Sequence, residues 1–115
     1  MSFNRNNYSV LSLFSGAGGL DLGFEAAGFQ LLEAIDINPW CVETLQKNRP
    51  QWKVILGDVR DYYPEKKPDV LLAGVPCQGF SLGGNRQAND PRNLLYKEVI
   101  RVAKVCQPRI VLIEN

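Results

Sequence analysis

Short apolar runs alternate with stretches of helical period along this chain, and the alternation predicts its elements. Residues 8–14, Tyr-Ser-Val-Leu-Ser-Leu-Phe, are rich in strand formers and stop at Gly16-Ala17-Gly18-Gly19, which reads as a strand ending in a tight turn. Leu20, Phe24 and Ala27 then recur at helical spacing, and Gly28 is placed to end that helix. A second apolar run at 31–35 precedes Asn38-Pro39, a capping residue with proline at the first helical position. A helix is therefore predicted from 39 to about 47, with Trp40 or Cys41, Val42 and Leu45 on its apolar side. Strands at 52–56 and 70–73 flank a surface connection at 60–67. The stretch 74–93, rich in Gly, Asn, Gln and Pro, reads as a long loop of the kind usually kept for function. A helix at about 93–106 puts Leu95, Val99, Val102, Ala103 and Cys106 on one stripe, and a last strand is predicted at 110–113.

Nearly all-apolar strands separated by helices predict parallel strands buried on both faces, hence a doubly wound α/β domain spanning residues 1–115 as one unit. The pattern closes on Ile110-Val111-Leu112-Ile113, which leaves a hydrophobic edge. That edge reads as a fragment of a larger domain or one piece of a split enzyme.

Composition narrows the chemistry. The chain of 115 residues, 45% hydrophobic and 22% charged, suits a single globular core. A net charge of +1 carries no broad electrostatic footprint and argues neither for nor against nucleic acid. Histidine is absent, which removes imidazole catalysis and His metal sites. Cys41, Cys77 and Cys106 are odd in number and contain no C-x-x-C pair, so neither a disulfide framework nor a zinc site is expected. The N-terminus is polar and no apolar run approaches the ~20 residues of a membrane span, so a soluble, cytoplasmic protein without membrane partners is expected.

In a doubly wound sheet, ligands bind beyond the carboxyl ends of the strands. There the sequence places the glycine loop, Asp36, Gly57-Asp58, Pro76-Cys77 and Glu114-Asn115. The glycine loop suits close backbone approach to a ligand, but position 21 is Asp, so the full G-x-G-x-x-G spacing is missing and a plain turn is an open reading. Asp36, 20 residues after Gly16, is placed either to accept both hydroxyls of a ribose or to cap a turn. Asp58 can accept from an adenine amino group, and Gly-Asp is also a common turn pair. An incomplete phosphate fingerprint favours a nucleoside cofactor such as S-adenosylmethionine over a dinucleotide. Cys41 and Cys106 fall on helical stripes, whereas Cys77 sits in a loop after a buried strand and is the candidate nucleophile. Glu114 faces it if the last two strands are neighbours. Arg86 and Arg92 read equally as phosphate contacts and as solvated loop arginines.

Together these stretches resemble the cytosine-5 DNA methyltransferase family. Phe14-Ser15-Gly16-Ala17-Gly18-Gly19-Leu20-Asp21-Leu22-Gly23-Phe24-Glu25 resembles its cofactor loop, Gly74-Val75-Pro76-Cys77-Gln78-Gly79-Phe80-Ser81 its catalytic loop, and Glu114-Asn115 the start of its Glu-Asn-Val motif. The resemblance implies a Rossmann-like S-adenosylmethionine-dependent methyltransferase fold, incomplete at its C-terminal side, with S-adenosyl-L-methionine as cofactor and double-stranded DNA as partner. It implies cofactor contacts from Phe14, Gly16, Ala17, Gly18, Gly19, Leu20 and Pro76. Asp36 would hold the ribose, Ile37 would pack on the adenine, and Asp58 with Val59 would read the adenine edge. Gln78, Ser81, Arg86 and Arg92 would meet the nucleic acid, with the target base flipped out of the stack. The Cys77 thiolate would add to carbon 6 of cytosine while Glu114 supports protonation at ring nitrogen 3, making carbon 5 able to accept a methyl group.

The departure from the family is one of extent. Its later arginine motif, its target-recognition region and its closing C-terminal segment are not in these residues, so methylation is expected to need those segments or a second chain. Two other readings stay open: a noncatalytic S-adenosylmethionine-binding or assembly module, and a tRNA cytosine-5 methyltransferase.

Overall fold

The computed structural model describes residues 6–76 and 94–114. In chain order these form β1 (Ser9–Leu13), α1 (Gly19–Ala26), β2 (Gln30–Asp36), α2 (Pro39–Asn48), β3 (Val54–Leu56), a 3-10 turn (Val59–Asp61), β4 (Val70–Ala73), α3 (Leu95–Cys106) and β5 (Ile110–Ile113). The strands make one sheet in the order β3-β2-β1-β4-β5, and every pairing is parallel. The predicted α/β class and doubly wound sheet are observed.

Alternation along each strand sorts the core into two layers. On one face Val10, Val70 and Leu72 pack under Leu20 and Phe24 of α1, while Ala34 and Val54 pack under Val42 and Leu45 of α2. On the other, Leu11, Leu13, Ile35, Leu71 and Ala73 meet Val99, Val102 and Cys106 of α3. Helices therefore cover both faces. The α2 start follows from Asn38, whose side chain accepts from the amides of Trp40 at 2.9 Å and Cys41 at 3.2 Å. Gly18 caps α1 in a left-handed conformation (φ 92°), where a Cβ would collide with the Leu45 side chain.

Three expectations change. Trp40 is exposed, so Val42 and Leu45 alone bury α2. The 60–67 connection is not wholly superficial, because Tyr62 is buried and its hydroxyl donates to Glu33 at 3.3 Å. The buried Glu33 carboxylate needs such partners, and Lys53 supplies a second at 3.2 Å. The third concerns β5, expected to be covered on both faces. Its four side chains are 40–60% exposed, and among the described residues the strand pairs only with β4.

Candidate functional site

Strand order reverses between β1 and β4, and a crevice opens there at the carboxyl ends, as the topology requires. It is a cavity of about 480 Å³. Phe14 and Gly16 line it from the end of β1, Asp36 and Ile37 from β2, and Gly57 through Arg60 from β3. Gly74 and Pro76 close it from β4, and Leu95 from the start of α3. Interstrand bonds continue past the strands: Ser15 N donates to Ile35 O at 3.1 Å, Gly57 N to Asp36 O at 3.0 Å, and Gly74 N to Leu13 O at 3.2 Å. The rim is thus tied to the sheet.

Backbone shape makes room at this rim. Phe14 adopts a positive φ of 52°, unusual for an aromatic residue, and turns the chain off β1 into the glycine loop. Its carbonyl oxygen would lie 3.1 Å from a Cβ at position 74, so glycine there lets β1 and β4 close together. Gly16 (φ 58°) then directs its amide to the Asp36 Oδ2 at 2.8 Å, while Asp36 Oδ1 accepts from Asn38 N at 2.8 Å.

The second carboxylate is held differently. Asp58 caps the 3-10 turn through its Oδ1, which accepts from Arg60 N at 2.9 Å. The Arg60 guanidinium forks onto the same carboxylate, with Nε 3.1 Å from each oxygen and Nη2 2.6 Å from Oδ2. Side-chain and backbone hydrogen bonds from Arg60 hold the Asp58 carboxyl below its ordinary range. Arg101 of α3 fixes the turn from behind, donating from Nη2 to Val59 O at 2.8 Å and from Nε to Glu98 at 2.9 Å.

Of the residues singled out in the sequence, Phe14, Gly16, Asp36, Ile37, Asp58, Val59 and Pro76 share the cavity wall. Ala17, Gly18, Gly19 and Leu20 do not: Gly18 and Gly19 begin α1, and Leu20 packs into the core beneath it. Glu114 is exposed at the end of β5, beside β4, with N donating to Ala73 O at 2.9 Å and Oε2 3.8 Å from the Cβ position of Gly74. Cys77, Gln78, Ser81, Arg86 and Arg92 lie outside the described residues. The sequence reading placed Gly57 at a ligand-facing strand end without giving it a contact, and it missed Arg60, Gly74 and Leu95 as wall residues. The two glycines carried a usable signal, each following directly on the last apolar residue of a strand.

Cys106 is buried, and that burial pushes its thiol pKa up, as suits a core residue. Among the described residues no cluster of His, Cys, Asp or Glu could hold a metal ion, and no helix is long and apolar enough to cross a membrane.

A nucleoside fits this wall better than a dinucleotide. Phe14, Ile37, Val59, Pro76 and Leu95 make an apolar slot with carboxylates at two edges. The Gly16 amide, which a phosphate would need, is already given to Asp36. Such a pocket at the switch point of a parallel sheet defines a nucleoside-cofactor α/β protein.

The family model for C-5 cytosine-specific DNA methylase matches residues 8–115, and the chain belongs to that family. Type II methyltransferase M.Eco47II of Escherichia coli is 43% identical over 116 residues, covering 97% of this chain and 28% of that protein. Type II methyltransferase M.FnuDI of Fusobacterium nucleatum is 47% identical over 109 residues, covering 92% of this chain and 31% of its own length. A crystal structure of a protein described as a DNA modification methyltransferase encoded within an E. coli prophage aligns with a TM-score of 0.75 at 33% identity, over 89% of this chain and 30% of that one. The chain thus spans about a third of the length of the relatives it matches. Membership carries S-adenosyl-L-methionine as the methyl donor.

Proposed function

We propose that this chain supplies the cofactor pocket and the nucleophile of an enzyme that methylates carbon 5 of cytosine in double-stranded DNA. One observation carries the reading: Phe14, Gly16, Asp36, Ile37, Asp58, Val59 and Pro76, which the family resemblance assigns to cofactor contact from four separate stretches of sequence, line one cavity, and Pro76 immediately precedes Cys77. S-adenosylmethionine bound there supplies an electrophilic methyl group on a sulfonium.

The remaining roles belong to the chain's own residues. Asp36 accepts from ribose hydroxyls with the lone pairs left after its two backbone bonds. Ile37, exposed at the lip, packs on the adenine face. Asp58 and the Val59 backbone read the adenine edge. The Cys77 thiolate adds to carbon 6 of a flipped cytosine, and Glu114 supports the proton at nitrogen 3 as electron density moves to carbon 5. After methyl transfer the carbon 5 proton leaves, and the bond from carbon 6 to Cys77 breaks to release the thiolate. Gln78, Ser81, Arg86 and Arg92 contact the DNA. The exposed β5 is the surface on which the family's further segments, in the same or a second chain, complete the domain.

Transfer of tritiated methyl from S-adenosylmethionine to DNA, with this chain co-expressed beside the remaining segments of a relative, tests the proposal. Activity is expected in the complex, and Cys77→Ala is expected to abolish it together with covalent trapping on 5-fluorocytosine DNA. An active Cys77→Ala complex would leave only a cofactor-binding or assembly role, and trapping on tRNA but not DNA would move the substrate to RNA. Robust methylation by the 115 residues alone would overturn the need for further segments.

A further inference from the structure

We propose that Arg60 is a specificity-determining positioning residue: it pins the Asp58 carboxylate so that the cavity accepts a 6-amino purine and rejects a 6-oxo purine. The inference rests on the cofactor reading above and extends it to a residue with no assigned role.

The geometry is that of a carboxylate denied free rotation. Oδ1 is tied to the backbone by the cap bond from Arg60 N, and the guanidinium spans both oxygens. The turn that carries them is tied to α3, where Arg101 donates to the carbonyl of the buried Val59. Oδ1 accepts from Arg60 N, Oδ2 from Nη2, and Nε is shared equally between them. Three donors on a carboxylate with about four lone-pair sites leave room for one more, and Asp58 and Arg60 both line the cavity.

Recognition by a pinned acceptor works mainly by rejection. An amino group meeting the carboxylate makes a hydrogen bond, but a carbonyl there sets two acceptors face to face and leaves both unpaired. A carboxylate free to turn about its side chain would swing away from the carbonyl and lose that penalty. Arg60 removes this escape. Lysine, a point charge without the planar fork, would neutralise Asp58 yet pin it less well. The pair is solvent-exposed on the Arg60 side, where ion pairs add little to folding, so the fork is better explained by orientation than by stability.

The test compares binding of S-adenosylhomocysteine and S-inosylhomocysteine by titration calorimetry, using the 115-residue chain and checking folding of each variant by circular dichroism. Arg60→Ala is expected to lower the preference for the adenine ligand by about tenfold, mostly through tighter relative binding of the inosine ligand. Arg60→Lys is expected to fall between. Asp58→Ala is the reference that loses the preference altogether. If Asp58→Ala loses the preference but Arg60→Ala keeps it, the positioning role is overturned while the cofactor reading stands. Equal weakening of both ligands by Arg60→Ala would show a structural role and likewise overturn it. If Asp58→Ala keeps the preference, the adenine-edge reading itself fails.

Discussion

Strands β1 and β5 are both apolar and both parallel-paired, yet they live in opposite surroundings. In β1, Val10, Leu11 and Leu13 are no more than 2% exposed, with neighbours on both edges and side chains covered on both faces. In β5, Ile110 through Ile113 keep 40–60% of their surface in water. Hydrophobic content alone therefore does not make a core strand. Full cover and a second neighbouring strand do: β1 is paired on both edges, whereas β5 pairs only with β4 among the described residues.

Energetically the contrast is open to attack from its strongest point. Leu13→Ala, at a fully buried site among Leu11, Ile35, Leu71 and α3, should destabilise the chain by roughly 2–5 kcal/mol, read as a lower urea midpoint. A loss no larger than that of a surface substitution would mean that β1 is not the packed centre.

The burial of β1 extends to its polar neighbour. Ser12 donates to Oδ1 of the buried Asp21, whose Oδ2 has no partner among the described residues. Burial, only partly offset by the Ser12 hydrogen bond, raises the Asp21 pKa from 3.8 to about 6. Because the folded value lies above the unfolded one, its stabilising contribution is full below pH 3.8 and is lost as pH rises through 6. Relative to Asp21→Asn, the native chain should lose up to about 3 kcal/mol of stability between pH 4 and pH 7.5, in paired denaturation curves. Curves that run parallel across this range would remove the buried carboxylate from the account.

The smallest expected effect tests the other pole. Ile110→Ala and Leu112→Ala should each cost clearly less than Leu13→Ala, because 60% and 40% of their surfaces stay in water. Sedimentation should show less self-association in the double variant than in the parent chain. A cost as large as that of Leu13→Ala would show that β5 is covered after all.

Much of this contrast was legible in the sequence, for physical reasons that also mark where reading stopped. Apolar runs ending at Gly16, Asp36, Asp58 and Pro76 located the strand ends, because strand formers and turn formers differ sharply in type. Strand order was not legible, since periodicity reports which faces are apolar and says nothing about neighbours. The place of Glu114 beside β4 had to come from the pairing. Tyr62 went unnoticed because one buried aromatic in a charged stretch leaves no periodic trace. The resemblance assigns Ala17, Gly18, Gly19 and Leu20 to cofactor contact, and the pattern alone does not show that Gly18 also makes room for the Leu45 side chain of the next helix. Arg60 read as the start of a solvated connection, and only the fold turns it back on Asp58.

Asp36 joins two loops through one side chain, binding the Gly16 amide and the Asn38 amide. That cross-link holds this edge of the wall by bonds internal to the chain, which lowers the ordering a nucleoside must impose on the glycine loop.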